Sequence, residues 1–555
     1  MCGICGVLCL GDATLDEDIL VSMRDSMRHR GPDGSGIYLS EDKRVGLGHR
    51  RLSVIDLSEN ARQPMCNEDQ TVWIVFNGEI YNYQELRENL LGNHQFKSES
   101  DTEVLLHLYE EKGIECVNDL KGMFAFAIWD KAKNILYLVR DRLGIKPLYY
   151  TLLADKILFA SEIKAILEDS SVPRKVDELS FYNYLSFLTT PAPNTLFKGI
   201  KKLPAGSIVQ INFDGKIKEK EYWDVLDNIK PIGDLSDDEI SKKLAYILKK
   251  SVESRKISDV PVGVFLSGGI DSSTNAKLFS EKESKPIKTF SLGYTGSLKN
   301  YSNEFKYARM MAELVGSNHH EKILGISDLL DFIPNMIYHQ DEPIADPVCV
   351  PVYYVSKLAR DNGVKVCQVG EGSDELFLGY PNWLKILKLE KINSIPLSHY
   401  FKKIGLLILR ILGKDSGFHF EFLRRGMNNE SIFWGGAEAF TECEKNKILS
   451  KRLREKFKGY SSYEVIKPIR KKYEIRSKNF DLANWMTYLD LNLRLPELLL
   501  MRVDKMSMAT SLETRVPFLD HELVEFAISI PGEIKTRENN PKYILKKAVR
   551  GLIPD

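Results

Sequence analysis

The sequence predicts two domains of different class: an α+β domain of antiparallel sheet layered with helices, then an α/β domain around a doubly wound parallel sheet. Three observations carry this. A chain of 555 residues is longer than one hydrophobic core organises. Its first two hundred residues are dense in short apolar runs closed by turn residues, the pattern of antiparallel strands. From Asp237 onward helical and buried-strand patterns alternate, which implies strands joined by crossover helices.

In the first half, Ile19 to Arg28 and Thr102 to Lys112 place apolar residues at helical spacing. Thr71 to Phe76, Phe124 to Trp129 and Ile135 to Val139 read as strands, and Asn77-Gly78 after the first of them reads as a type I′ hairpin turn. Pro204-Ala-Gly206 and the polar run Pro231 to Asp238 bracket a weakly patterned stretch. The expected division is therefore 1–205, a linker at 206–236, and 237–555. The second half should run helix Glu239 to Ser254, strand Val260 to Leu266, helix Ser272 to Lys282, strand Ile287 to Leu292, helix Phe305 to Val315 and strand Val364 to Val369. Beyond Pro381 the chain is helical and Lys-rich. Trp383 to Leu412 is expected as a solvated helical pair with lysines outward, the alternative being an interfacial amphipathic helix.

Lys plus Arg equals Asp plus Glu at 77 each, so bulk charge calls for neither nucleic acid nor an anionic membrane. Eight cysteines with no secretory leader fit the reducing cytoplasm. The most apolar stretch, Ile404 to Leu412, is short and contains Arg410, so no membrane span is expected. Cys2, Cys5 and Cys9 lack a second Cys or His cluster. Cys5 and Cys9 read as buried strand residues, and His319-His320-Glu321 would alternate faces on a strand, so zinc is not expected.

Chemistry gathers at two places. Removal of Met1 would leave Cys2 with a thiol and a free α-amine on one residue, supplying nucleophile and base together. The Asn77 side chain and the Gly78 N–H could then hold an oxyanion, one such donor being worth about 3 kcal/mol of barrier. In the second half, Ser267-Gly268-Gly269-Ile270-Asp271-Ser272-Ser273 joins a strand to a helix. Glycines, a helix N-terminus and hydroxyls make a phosphate cradle, without the Gly-Lys-Ser/Thr ending of a γ-phosphoryl-transfer loop. Asp271 and Asp374, at carboxyl ends of parallel strands, suit Mg²⁺ on pyrophosphate.

Cys2-Gly-Ile, Arg30-Gly-Pro-Asp33, Gly48-His-Arg-Arg-Leu52, Phe76-Asn-Gly-Glu-Ile-Tyr81, Ser100-Asp-Thr-Glu103 and Arg140-Asp-Arg-Leu-Gly-Ile-Lys-Pro-Leu148 together resemble a class II glutamine amidotransferase. With the Ser-Gly-Gly loop, Gly370-Glu-Gly-Ser-Asp-Glu375, Arg502 to Met508 and Leu512 to Asp520, nearly the whole chain is similar to glutamine-hydrolysing asparagine synthetases. The resemblance implies an N-terminal-nucleophile hydrolase αββα sandwich followed by an ATP pyrophosphatase domain. It implies that Cys2 attacks the glutamine amide, that Arg51 pairs with its α-carboxylate, that Glu79 and Asp101 meet its ammonium, and that Val54 lines its pocket. Leu266, Leu292, Val369 and Gly370 would border the adenine, and Glu371 would lie beside the reacting carboxylate and ammonia.

The reaction so implied uses ATP and Mg²⁺ to adenylate a carboxylate, which ammonia carried from Cys2 then amidates. Aspartate is the expected acceptor, with a uronic acid or a noncatalytic regulatory paralogue as alternatives. Asp341-Glu-Pro-Ile-Ala-Asp346 should shape acceptor choice, and Arg502 to Met508 should act as scaffold. A homodimer is possible. Relatives carry a lysine near the reacting phosphate in a longer C-terminal tail. Part of that tail is expected to be missing here, and the lysine is unassigned.

Overall fold

The computed structural model describes residues 2–295, 305–393, 395, 398–477 and 479–554. Two antiparallel six-stranded sheets build the first half. One runs Ile200–Lys202, Tyr149–Leu152, Lys156–Ala160, Gly3–Cys9, Val45–Arg51, Gly34–Leu39 in spatial order. The other runs Ile217–Glu221, Ser207–Asn212, Ile135–Arg140, Gly122–Asp130, Val72–Ile80, Met65–Cys66.

Period-two alternation decides the layers. Along Gly3–Cys9, Ile4 and Leu8 face the second sheet and pack with Val75, Ala127 and Leu138, whereas Cys5, Val7 and Cys9 face outward onto Leu20, Met23 and Met27 around helix Glu17–Asp25. On the far side, Ile74, Phe76 and Phe126 pack against Val104, Leu105 and Leu108 of helix Asp101–Lys112. The result is the expected helix–sheet–sheet–helix sandwich.

Two expectations about this half are corrected. Asn77-Gly78 is not a turn: it lies inside Val72–Ile80, paired through Asn77↔Ala125 and Gly78↔Phe124. The dipeptide's local turn preference yields to nine residues of ladder pairing. Nor does 206–236 begin as a linker, because Ser207–Asn212 and Ile217–Glu221 are strands that extend the second sheet through Ile135–Arg140.

The second half is a five-stranded parallel sheet in the order Asn318–Leu324, Lys288–Tyr294, Val262–Phe265, Val366–Gln368, Glu513–Arg515. Helix Asp237–Ser254 enters through a capping box in which Ser236 and Glu239 satisfy each other's backbone N–H. Helices Pro381–Asn393 and Ser398–Ile411 form where expected, and Lys385, Lys388, Lys391 and Lys403 are exposed on them. They share the outer surface with exposed Phe401, Ile404, Leu407, Ile408 and Ile411, while Lys402 turns back to the carbonyls of Asn393 and Gly426. Among the described residues no helix is long and apolar enough to cross a membrane.

Candidate active sites

Cys2 stands at the head of the central strand Gly3–Cys9, almost fully buried. Its backbone N donates to Asn77 Oδ1 at 2.9 Å, and its carbonyl accepts from Arg30 Nε at 3.0 Å. Because Asn77 spends its oxygen on Cys2, its Nδ2 is left buried with no hydrogen-bond partner among the described residues. A buried donor in that state costs stability unless something else is meant to accept from it. Gly78 lines the same pocket, and a Cβ there would strike the Met123 carbonyl at 2.2 Å, so only glycine fits.

The pocket is closed by Arg51, Leu52, Val54, Gln63, Glu79 and Asp101. Arg51 is fixed by the carbonyls of Asp56 and Ser58. Asp101 accepts from Ile80 N at 3.0 Å, and Glu79 lies 3.4 Å from Arg515. Burial pushes the Cys2 thiol up, against the opposing pull of nearby positive charge including Arg51. Burial, helped by Glu513, also holds the Glu79 carboxyl well above the usual range, and burial lifts Asp101 to about 6. These are groups desolvated ahead of a partner. An ammonium between the two carboxylates would supply the missing charge.

The second site opens at the carboxyl ends of Val262–Phe265 and Val366–Gln368. Gly268 adopts φ +86, and a Cβ on it would lie 2.7 Å from Ala308 N. Helix Ile270–Ser280 follows directly, with Ser267 and Ser272 linked hydroxyl to hydroxyl at 3.0 Å across the loop. Ser273 Oγ is buried and has no partner among the described residues. Gly370 packs at the helix start, where a Cβ would meet Asp271 Cβ at 3.1 Å and Ser272 N at 3.2 Å. Leu266 is buried at the end of its strand, with Leu292 and Val369 half-buried.

Asp271 and Asp374 do come together, and a lysine lies between them. Lys542 Nζ is 2.6 Å from Asp271 Oδ2 and 2.6 Å from Asp374 Oδ1. Burial opposes its charge, but the two carboxylates outweigh burial and hold the ammonium's pKa above its usual value. Sequence reading looked for a phosphate-side lysine in a longer tail and did not weigh Lys542. Lys542 sits at the left-handed φ of +56 just before helix Tyr543–Ala548, its N–H tied to the Phe377 carbonyl. A non-glycine residue held there is strained, and strain of this kind concentrates at functional positions. The only local signal was Pro541-Lys542 ahead of a helical pattern. The oxygen-only pair, already holding one cation, suits a hard ion such as Mg²⁺.

Glu371 is held at 2.8 Å by Arg502, whose other arm reaches Asp346 at 2.6 Å. Arg502 was expected as scaffold, yet it borders the site. Asp341 and Glu342 turn toward the first domain, to Lys164 and Lys202 respectively at 2.8 Å, so only Asp346 of that segment reaches Glu371's partner. Two residues after Arg502, on the same helix Leu500–Met508, Asp504 pairs at 2.9 Å with Arg30, the residue that holds the Cys2 carbonyl. Further buried pairs, Arg140 with Glu497 and Lys202 with Glu497, join the halves.

Fold and sites together define a two-part enzyme, an amidotransferase joined to an ATP-using synthetase. Residues 1–223 match the model of the glutamine amidotransferase domain and residues 243–555 that of asparagine synthase. Over 561 residues the chain is 38% identical to asparagine synthetase [glutamine-hydrolyzing] 1 of Bacillus subtilis, covering 100% of this chain and 85% of the relative. It is 34% identical to asparagine synthetase [glutamine-hydrolyzing] 3 of the same organism, at 100% and 85% coverage. It is also 29% identical to amidase chry2 of Gibberella zeae, at 98% and 84%. The chain belongs to the glutamine-hydrolysing asparagine synthetase family.

Proposed function

We propose that this enzyme converts aspartate to asparagine, with glutamine as nitrogen donor and ATP cleaved to AMP and pyrophosphate. The observation that carries the glutamine half is the unpartnered Nδ2 of Asn77 beside Cys2. With Met1 removed, the Cys2 amine accepts the thiol proton and the sulfur attacks the glutamine amide carbon. Asn77 Nδ2 and the Gly78 N–H receive the developing oxyanion. Arg51 takes the α-carboxylate, while Glu79 and Asp101 take the ammonium. Ammonia leaves, and water releases glutamate from the thioester.

In the second site the loop Ser267 to Ser273 holds the phosphates of ATP, with Leu266, Leu292, Val369 and Gly370 around the base. Asp271 and Asp374 would hold Mg²⁺, which supplies charge neutralisation on the pyrophosphate. Lys542 brings a fixed positive charge to the phosphate oxygens, and Glu371, oriented by Arg502, lies ready to take a proton from the incoming ammonia. The acceptor carboxylate attacks the α-phosphorus, and ammonia displaces AMP from the acyl adenylate. All eight cysteines are free, which suits the cytoplasm as the place of action.

Glutamine-dependent AMP formation by the purified enzyme, screened across aspartate, other amino-dicarboxylates and uronic acids, tests the acceptor. Aspartate should turn over at or near the best rate. No turnover with aspartate alongside turnover with another acid overturns the assignment. The similarity to an amidase is a reason to screen acids beyond aspartate.

A further inference from the structure

Four side chains outside both sites converge on the outer side of the amidotransferase domain. His107 and Glu110 lie one turn apart on helix Asp101–Lys112, His94 lies in the turn after helix Tyr83–Leu90, and Glu68 lies in the turn between Met65–Cys66 and Val72–Ile80. One donor atom from each lies within 4.8 Å of all the others. His107 Nδ1 is 2.7 Å from Glu110 and 3.8 Å from Glu68, and His94 Nδ1 is 3.7 Å from Glu110 and 3.8 Å from Glu68. Around a tetrahedral zinc with bonds of about 2.0 to 2.1 Å, neighbouring donors stand about 3.3 Å apart. The four gaps straddle that value, and the exposed Glu68 has room to close its own.

The orientation of the imidazoles is the second observation. Both rings turn Nδ1 inward: His94 Nε2 faces outward onto Glu111 at 3.1 Å, while His107 Nε2 is buried without a hydrogen-bond partner among the described residues, 3.9 Å from Glu103. Glu103 is itself fixed by the Lys97 and Ser98 N–H groups and the Ser98 hydroxyl. In His94 the outer carboxylate that takes the Nε2 proton leaves the Nδ1 lone pair free to face a metal, the usual support of a ligating histidine, whereas His107 would exchange its Nδ1 contact with Glu110 for the shared ion. His107 is buried, and the rings stack at 4.4 Å between centroids, which keeps the two Nδ1 atoms side by side.

We propose that Glu68, His94, His107 and Glu110 bind one zinc ion. Two imidazoles favour zinc over the hard ion that suits Asp271 and Asp374. The ion would clip two turns to the helix whose first residue, Asp101, lines the glutamine pocket, at a distance from the chemistry. Sequence reading expected no zinc, having weighed only Cys2, Cys5 and Cys9 and the run His319-His320-Glu321.

The full-length protein, stripped with a chelator and titrated calorimetrically with zinc sulfate in magnesium-free buffer, tests this. One equivalent should bind at micromolar affinity or tighter. His94→Gln should weaken binding about a hundredfold and Glu68→Gln about tenfold, with both activities retained, while Cys2→Ala should bind zinc like the parent. Absence of such binding, or wild-type affinity in both His94→Gln and Glu68→Gln, overturns the proposal. Glu68 is exposed, so its replacement reads out even if His94→Gln misfolds.

Discussion

The two sites are prepared in opposite ways. Around Cys2 the polar groups are buried and short of partners: Asn77 Nδ2 has none among the described residues, and Glu79 and Asp101 carry raised pKa values from desolvation. Around the Ser-Gly-Gly loop the charges are already paired with one another, Asp271 and Asp374 through Lys542, and Glu371 and Asp346 through Arg502. Under the proposed function the first pocket is completed by its substrate, and the second would exchange partners, phosphate and metal replacing the carboxylate–lysine contacts. An unpaired pocket favours its ligand by relieving an existing cost. A paired one guards against idle charge at the price of rearrangement.

The strongest way to break this comparison is Cys2→Ala. It should lower glutamine-dependent AMP formation by at least about a thousandfold, as loss of a nucleophile does, while ammonium-dependent formation stays within about twofold of the parent. Equal loss with both nitrogen sources would deny that the sites are separable. A mass spectrum of the active protein should lack Met1.

Lys542→Ala tests the second site. Removing one fixed charge from a phosphate transition state typically costs about a hundredfold to a thousandfold. That loss should appear with both nitrogen sources, while glutaminase turnover is unchanged. An intact synthetase rate would mean the lysine only neutralises Asp271 and Asp374.

The pH dependence of glutamine use is a smaller effect. Asp101 is lifted to about 6 by burial, opposed by the Ile80 and Thr102 N–H groups, raised further by Glu513 and lowered by Arg515. The ionised form is the one that meets an ammonium, so kcat/KM for glutamine should rise with pH through about 6 and fall roughly tenfold per unit below it. In Asp101→Asn the Asp101 contribution to that limb should disappear, leaving the one from Glu79, whose carboxyl burial also raises. The ammonium-dependent rate should not share it.

Ser236→Ala lies outside both sites and serves as the baseline. Loss of the capping box should cost about 1 kcal/mol of stability by denaturant titration, with both activities unaltered.

What could be read from the sequence follows the range of the interactions. The Gly268-Gly269 loop was legible because glycine, strand end and helix start are adjacent in the chain. The antiparallel strands were legible because short apolar runs such as Ile135 to Val139 are closed by turn residues, a local signal, while the helix–sheet–sheet–helix order was implied by the family resemblance. Asn77-Gly78 was misread because a dipeptide does not show that 122–130 will pair with it. The strands Ser207–Asn212 and Ile217–Glu221 were missed for the same reason, since polar Lys-Glu alternation reads as linker until a sheet edge is there to receive it. Lys542 meets Asp271 across nearly half the chain, and no spacing rule spans that. Arg502 was within a quoted motif, but only the fold brings it to Glu371.

Helix Leu500–Met508 carries Arg502, which grips Glu371, and Asp504, which grips Arg30 and through it the Cys2 carbonyl. One short helix therefore sets the position of Cys2, the proposed nucleophile, and of Glu371, the proposed base, through buried ion pairs at two of its residues. It acts as a common ruler against which both halves are placed, so a change in its seating would move both proposed sites together.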